Sequence, residues 1–235
     1  MSNDQDIQDS SDDILKWSEA IEQDPEDAAA YFYRGVAHYE NGNYDSAIDD
    51  FKESITLDPD VFSTNFNLGR AYIDVLNFDK AIQFLTKAIE LELDDHRVYF
   101  FRGIAYGRKG EFDKAIQDLT KVLELGLDED IVYIIRGTVH YDNQHFDKAI
   151  QDFTKAISLD PDCDESYFYR GRAHYRNGNY DSAIADYKES IKLNPNDSSA
   201  YHGLSLAYEA KGDKVKAAAY FAKAKELMSS DDFTL

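Results

Sequence analysis

Four arginines each stand 16 residues ahead of an aspartate: Arg34 and Asp50, Arg102 and Asp118, Arg136 and Asp152, Arg170 and Asp186. A planar guanidinium and a carboxylate fit each other as a two-bond ion pair. The recurrent spacing therefore predicts four internal pairs. Five further arginines, Arg70, Arg97, Arg108, Arg172 and Arg176, remain for other contacts. Reactive constellations are missing from the sequence: it has no phosphate loop, no HExxH and no CxxC. Asp160, Asp162 and Asp164 alternate like the start of a calcium loop. Glu165 then stands where such a loop needs glycine, and Gly171 where it needs glutamate. The three acids read as turn and cap residues. His38, His140 and His174 lie in separate parts of the chain and read as packing residues rather than bases or ligands. With Cys163 the sole cysteine, neither an internal disulfide nor a thiolate cluster is available. The expectation is a protein that is not an enzyme and carries no cofactor or metal.

The elements that must position these side chains follow from a repeat. Gly35, Gly69, Gly103, Gly137 and Gly171 are spaced by 34 residues, as are Ala47, Ala81, Ala115, Ala149, Ala183 and Ala217. Tyr31, Tyr99, Tyr133, Tyr167 and Tyr201 keep the phase, and Pro59, Pro161 and Pro195 close three of the units. The full repeats are 28–61, 62–95, 96–129, 130–163, 164–197 and 198–231. Each reads as two helices joined by a Gly/Asn turn such as Asn41-Gly42-Asn43, where glycine accommodates a left-handed C-terminal residue. The second helix is expected to start at Asp45, Asp79, Asp113, Asp147 and Asp181. The next first helix should follow Asp60, Asp94, Asp128, Asp162 or Asn196, since Asp and Asn accept free backbone N–H groups as N-caps. Residues 13–27 read as a capping half repeat, 1–12 as a disordered acidic lead-in and 232–235 as an acidic tail.

A 34-residue helix–turn–helix unit with small residues at positions 8 and 20, an aromatic at position 4 and Pro at 32 resembles the tetratricopeptide repeat (TPR) family. The resemblance covers residues 28–231. It implies an all-α, right-handed superhelical solenoid of antiparallel helix pairs. Position 7, usually Leu in the family, is Arg in four units, each with Asp at position 23. The two units with Leu68 or Leu204 there carry Phe84 or Tyr220 at position 23. An ion pair and an apolar pair thus exchange as units.

The resemblance also implies a concave wall built mainly from first helices, with positions 2, 5, 6, 9, 12 and 13 facing a ligand. Those positions hold Phe32, Tyr33, Phe66, Asn67, Arg70, Arg97, Phe100, Phe101 and Arg108, followed by Ile134, Ile135, Phe168, Tyr169, Arg172 and Arg176. An exposed aromatic row of this kind marks a partner surface. Position 13 alternates Asp74, Arg108, Asp142, Arg176, the pattern of an ion-pair ladder, and Arg70 has Asp74 one turn on. Arg97 and Arg172 are the arginines least explained by neighbours. Units 1 and 5 are near copies that differ, within YFYRGVAHYENGNYDSAI, only at Val36/Arg172 and Glu40/Arg176, so one end of the groove is expected to be more positive. The chaperone-tail clamp of some family members is matched only by Asn67 and Arg97 and is not expected here.

Asp and Glu number 46 against 25 Lys and Arg, for a net charge of -21. This balance disfavours nucleic acid and anionic membranes as partners. No apolar run reaches the roughly 20 residues that span a bilayer. A cytoplasmic interaction scaffold that binds another protein or peptide segment, with acidic groups near the groove arginines, fits these features. The alternative is a homo-oligomer that self-associates through its terminal repeat and tail.

Overall fold

The computed structural model describes residues 3–92 and 94–231. Thirteen helices follow one another: α1 Asn3–Gln23, α2 Ala28–Glu40, α3 Tyr44–Leu57, α4 Phe62–Asp74, α5 Phe78–Leu91, α6 His96–Lys109, α7 Phe112–Glu124, α8 Asp130–Asp142, α9 Phe146–Leu159, α10 Asp164–Arg176, α11 Tyr180–Leu193, α12 Ser198–Ala210 and α13 Lys214–Asp231. The even-numbered helices from α2 are the first helices of the repeats and pack on the second helices that follow them. The helices group into two compact units, one ending at Gly126 and the other beginning at Leu127. Three of the six helix pairs fall in each, with α1 added to the first.

The periodic small residues set the approach of each helix pair. Ala47, Ala81, Ala115, Ala149 and Ala183 are wholly buried. At Gly69 a Cβ would lie 2.6 Å from Leu85 Cγ, so only hydrogen lets α4 and α5 come this close. Phe51, Leu85, Leu119 and Phe153, four residues after the alanines, are fully buried. The last repeat has Ser205 in place of the glycine, and its hydroxyl donates to Ala217 O at 2.8 Å, tying α12 to α13.

Several boundaries differ from expectation. Helix α1 begins at Asn3, so helix occupies most of the stretch expected to be disordered. The aspartates expected to cap the second helices lie one residue inside them, where the dipole rather than a capping bond favours them. The capping residue is Asn43, Asn77, Glu111, His145 or Asn179, and only Asn77 accepts a side-chain cap bond, from Lys80 N. First helices are capped by the residue after the expected one. Asp27, Asp95 and Asp197 accept backbone N–H groups two residues on, at 2.8–2.9 Å. The acidic tail 232–235 lies outside the described residues.

Candidate functional site

The paired arginines come first, because they fix the helices that carry everything else. Arg34 donates to both carboxylate oxygens of Asp50 at 2.8 and 2.6 Å. Arg102–Asp118, Arg136–Asp152 and Arg170–Asp186 repeat this fork at 2.7–2.9 Å. A third guanidinium N–H reaches the preceding second helix, donating to Ser18 from Arg34, to Thr86 from Arg102 and to Thr154 from Arg170. Each of these three arginines therefore joins three helices. In the two exchanged repeats, aromatic stacks replace the fork, Tyr72 on Phe84 and Tyr208 on Tyr220. His38, His140 and His174 lean on the same aspartates, with Nε2 at 3.8–3.9 Å from the carboxylate. Burial holds all three below the ordinary histidine range and outweighs the nearby carboxylate. They are packing groups, as their spread over separate repeats predicts.

Within each unit, first helices touch one another from repeat to repeat, α2–α4–α6 and α8–α10–α12, whereas among the described residues second helices do not. First helices are thus closer together and line the inner curve of each unit.

In the first unit, Tyr33 is 48% exposed although one face stacks on Trp17 at 4.8 Å. It borders a cavity of about 220 Å³ with Phe32, Ser63 and Val61. Phe32, Phe100 and Phe101 are half-buried. Phe66, expected on the groove surface, is 6% exposed and belongs to the core against Leu85 and Val98. The reason is its neighbour: Phe101 of the next repeat lies edge-on to it at 5.7 Å and closes it over. Asn67 turns its amide back to Ser63 O at 2.9 Å. Arg70 sits in an aromatic box, 4.9 Å from the Tyr39 ring, 5.6 Å from Phe66 and 5.0 Å from Phe101. It also donates to the Tyr39 hydroxyl at 3.3 Å, and that hydroxyl donates to Asp74 at 2.6 Å. Burial and the Asp74 bond push the Tyr39 phenol up to about 12. Arg97 does have a neighbour, contrary to expectation: it forks onto Asp95, its own helix cap, and holds that carboxyl below its usual range. Arg108 is exposed and has no ion-pair partner among the described residues.

In the second unit, Ile134 is 6% exposed and packs in the core with Phe153 and Ala173, so it too leaves the expected surface. Ile135, Phe168 and Tyr169 are half-buried. Arg172 lies 4.8 Å from the Tyr141 ring and 5.7 Å from both Phe168 and Tyr169. Arg176 is exposed and lies 5.8 Å from Tyr141 and 5.2 Å from Phe146. Neither guanidinium has a carboxylate partner among the described residues. The expected ladder is absent there as well: no ion pair joins Asp74 to Arg108 or Asp142 to Arg176. The sequence pattern did not reveal the aromatic boxes. Their only signal is tyrosine at position 12 one repeat before an arginine at position 9.

Asp130, Asp160 and Cys163 bring three donor atoms within 4.8 Å of one another. The Ser166 hydroxyl already donates to Cys163 Sγ, and Asp160 accepts the Asp162 N–H. Two carboxylates and one thiol match neither an all-oxygen calcium site nor a closed zinc site.

Comparison with known proteins agrees with the architecture. Family models described as tetratricopeptide repeat match residues 28–61, 66–128, 136–198 and 170–231. The chain belongs to the tetratricopeptide repeat family. Among solved structures it is similar to the C-terminal part of a TPR protein from Cytophaga hutchinsonii, at 22% identity and TM-score 0.74, covering 93% of this chain and 90% of that one. It is also similar to a chain of the Cut9–Hcn1 hetero-tetramer of the APC/C, at 20% identity and TM-score 0.70, covering 93% of this chain. This chain spans only 43% of that one. A third is YrrB, described as a TPR protein with an unusual peptide-binding site, at 21% identity and TM-score 0.63, covering 75% of this chain and 91% of that one. A search of curated proteins finds no match. No helix among the described residues is long and apolar enough to cross a membrane.

Proposed function

We propose that the chain is an interaction scaffold that holds a partner protein segment on the inner, first-helix faces of its two units. The observation that carries this reading is the row of exposed and half-buried aromatic and arginine side chains there, Tyr33, Phe100, Phe101 and Arg108 in the first unit and Phe168, Tyr169, Arg172 and Arg176 in the second. Such groups supply most of the binding energy at protein interfaces because they bury large area at low entropic cost. The fold is one used by protein-interaction scaffolds, and the similar YrrB has a peptide-binding site. The test is capture from the source lysate by wild-type protein and by Tyr33→Ala/Phe100→Ala/Tyr169→Ala, with helicity checked by circular dichroism. A partner retained by wild type and lost by the variant supports the reading. Equal capture by both contradicts it.

A second reading is self-association through α13. Val215 is 82% exposed, Met228 61% and Phe221 43%, beside Lys214, Lys216 and Lys225 on this otherwise acidic chain. It requires a mass in light scattering that rises with concentration and ceases to do so when residues 229–235 are deleted or Val215 becomes Asp.

A further inference from the structure

Three repeats apart, Arg70 and Arg172 lie against equivalent rings, Tyr39 and Phe66 in the first unit and Tyr141 and Phe168 in the second; the third ring differs, Phe101 in one and Tyr169 in the other, and so does the residue one turn on. In the first unit the residue one turn beyond the boxed arginine is Asp74. Its carboxylate accepts the Tyr39 hydroxyl at 2.6 Å, and that hydroxyl accepts from Arg70 at 3.3 Å. The anion needed by the guanidinium is thus supplied from within the chain. In the second unit the same place is held by Arg176. Arg172 and Arg176 lie 4.8 and 5.8 Å from the one Tyr141 ring, four residues apart on one face of α10. Neither has a carboxylate or a hydrogen-bond acceptor among the described residues.

We infer that Arg172, Arg176 and the Tyr141 hydroxyl form a carboxylate-binding subsite, which takes an acidic group of a partner peptide where Asp74 serves in the first unit. Two cations one turn apart on a helix repel each other, and neither is paired with a carboxylate among the described residues. An incoming carboxylate removes that repulsion and accepts from both planar forks, a geometry suited to Arg rather than Lys. The ring beneath the guanidinium groups holds them in place and excludes water from one side. The flanking Phe168 and Tyr169 offer apolar surface to the residues beside the acid.

The subsite deepens the scaffold reading and rests on it. The test uses the full chain with labelled arginine side chains, observed by NMR during titration. The probe is an amidated pentapeptide alternating phenylalanine and glutamate, and its control has glutamine for glutamate. The expected result is saturable shifts of the Arg172 and Arg176 Nε–H signals, with binding about tenfold weaker for the glutamine peptide. Arg176→Asp, an exposed position that restores the first unit's arrangement, should abolish the preference. Asp74→Arg should create the same response at Arg70. Equal binding of both peptides overturns the subsite and leaves groove recognition standing. No saturable shift, or unchanged affinity in Arg176→Asp, also overturns it, and groove recognition is then decided independently by the capture experiment.

Discussion

At the scale of single residues, the repeat is held by exchangeable pairs. The Arg102–Asp118 fork is half-buried to buried, with side-chain exposures of 16% and 6%. Removing one partner strands a charge, and Asp118→Phe alone should cost about 3 kcal/mol in urea unfolding. Arg102→Leu with Asp118→Phe should recover most of that loss. The double variant rebuilds the Leu68–Tyr72–Phe84 set of the second repeat, and the third repeat already has Tyr106 where the second has Tyr72. Equal destabilisation by the single and double variants would contradict the pairing. The histidines give a pH signature. Burial lowers the pKa of His38, His140 and His174 in the folded chain below the ordinary 6.5. The unfolded chain then binds more protons as pH falls through 6.5, so the stability present above that pH is lost on acidification. Replacing all three by Tyr, the residue found at Tyr106, should flatten the decline in Tm between pH 7 and 5. An unchanged slope would assign the decline to other groups.

At the scale of elements, the turn between paired helices needs a left-handed residue. Gly42, Gly110, Gly178 and Gly212 provide it with φ of 73–83°. Leu76 and Gln144 occupy the equivalent place at φ 58° and 60° without glycine's freedom. Leu76 is 74% exposed, so its side chain repays little of the strain. Leu76→Gly should therefore stabilise by about 0.5–1 kcal/mol, the left-handed penalty less glycine's extra unfolded entropy. A lower urea midpoint would refute the strain. The repeat length, the helix pairs and the four ion pairs were legible in the sequence because each recurs at one fixed spacing. Cap positions were read one residue early for first helices and two residues late for second helices, since Asp is nearly as favourable inside the first turn as at the cap. The burial of Phe66 and Ile134 was not legible. It depends on which residue the adjacent repeat lays over each of them, as Phe101 does over Phe66, and a position within one repeat does not record that.

At the scale of the molecule, charge and surface decide behaviour. A net charge of -21 on 235 residues makes the folded chain repel itself. Raising sodium chloride from about 10 to 200 mM shortens the screening length severalfold and should raise Tm by a few degrees. A Tm that falls would mean that attractive ion pairs dominate instead. Recognition by the first-helix faces is tested by site-specific photo-crosslinking. A benzophenone amino acid would replace Tyr33 or Tyr169 on the first helices, and in control proteins Glu53 or Glu189, exposed on second helices. The proteins would be irradiated in source lysate. One partner should be crosslinked from Tyr33 or Tyr169 and be absent from both controls. Crosslinks from Glu53 and Glu189 alone would contradict it and move recognition to the outer face.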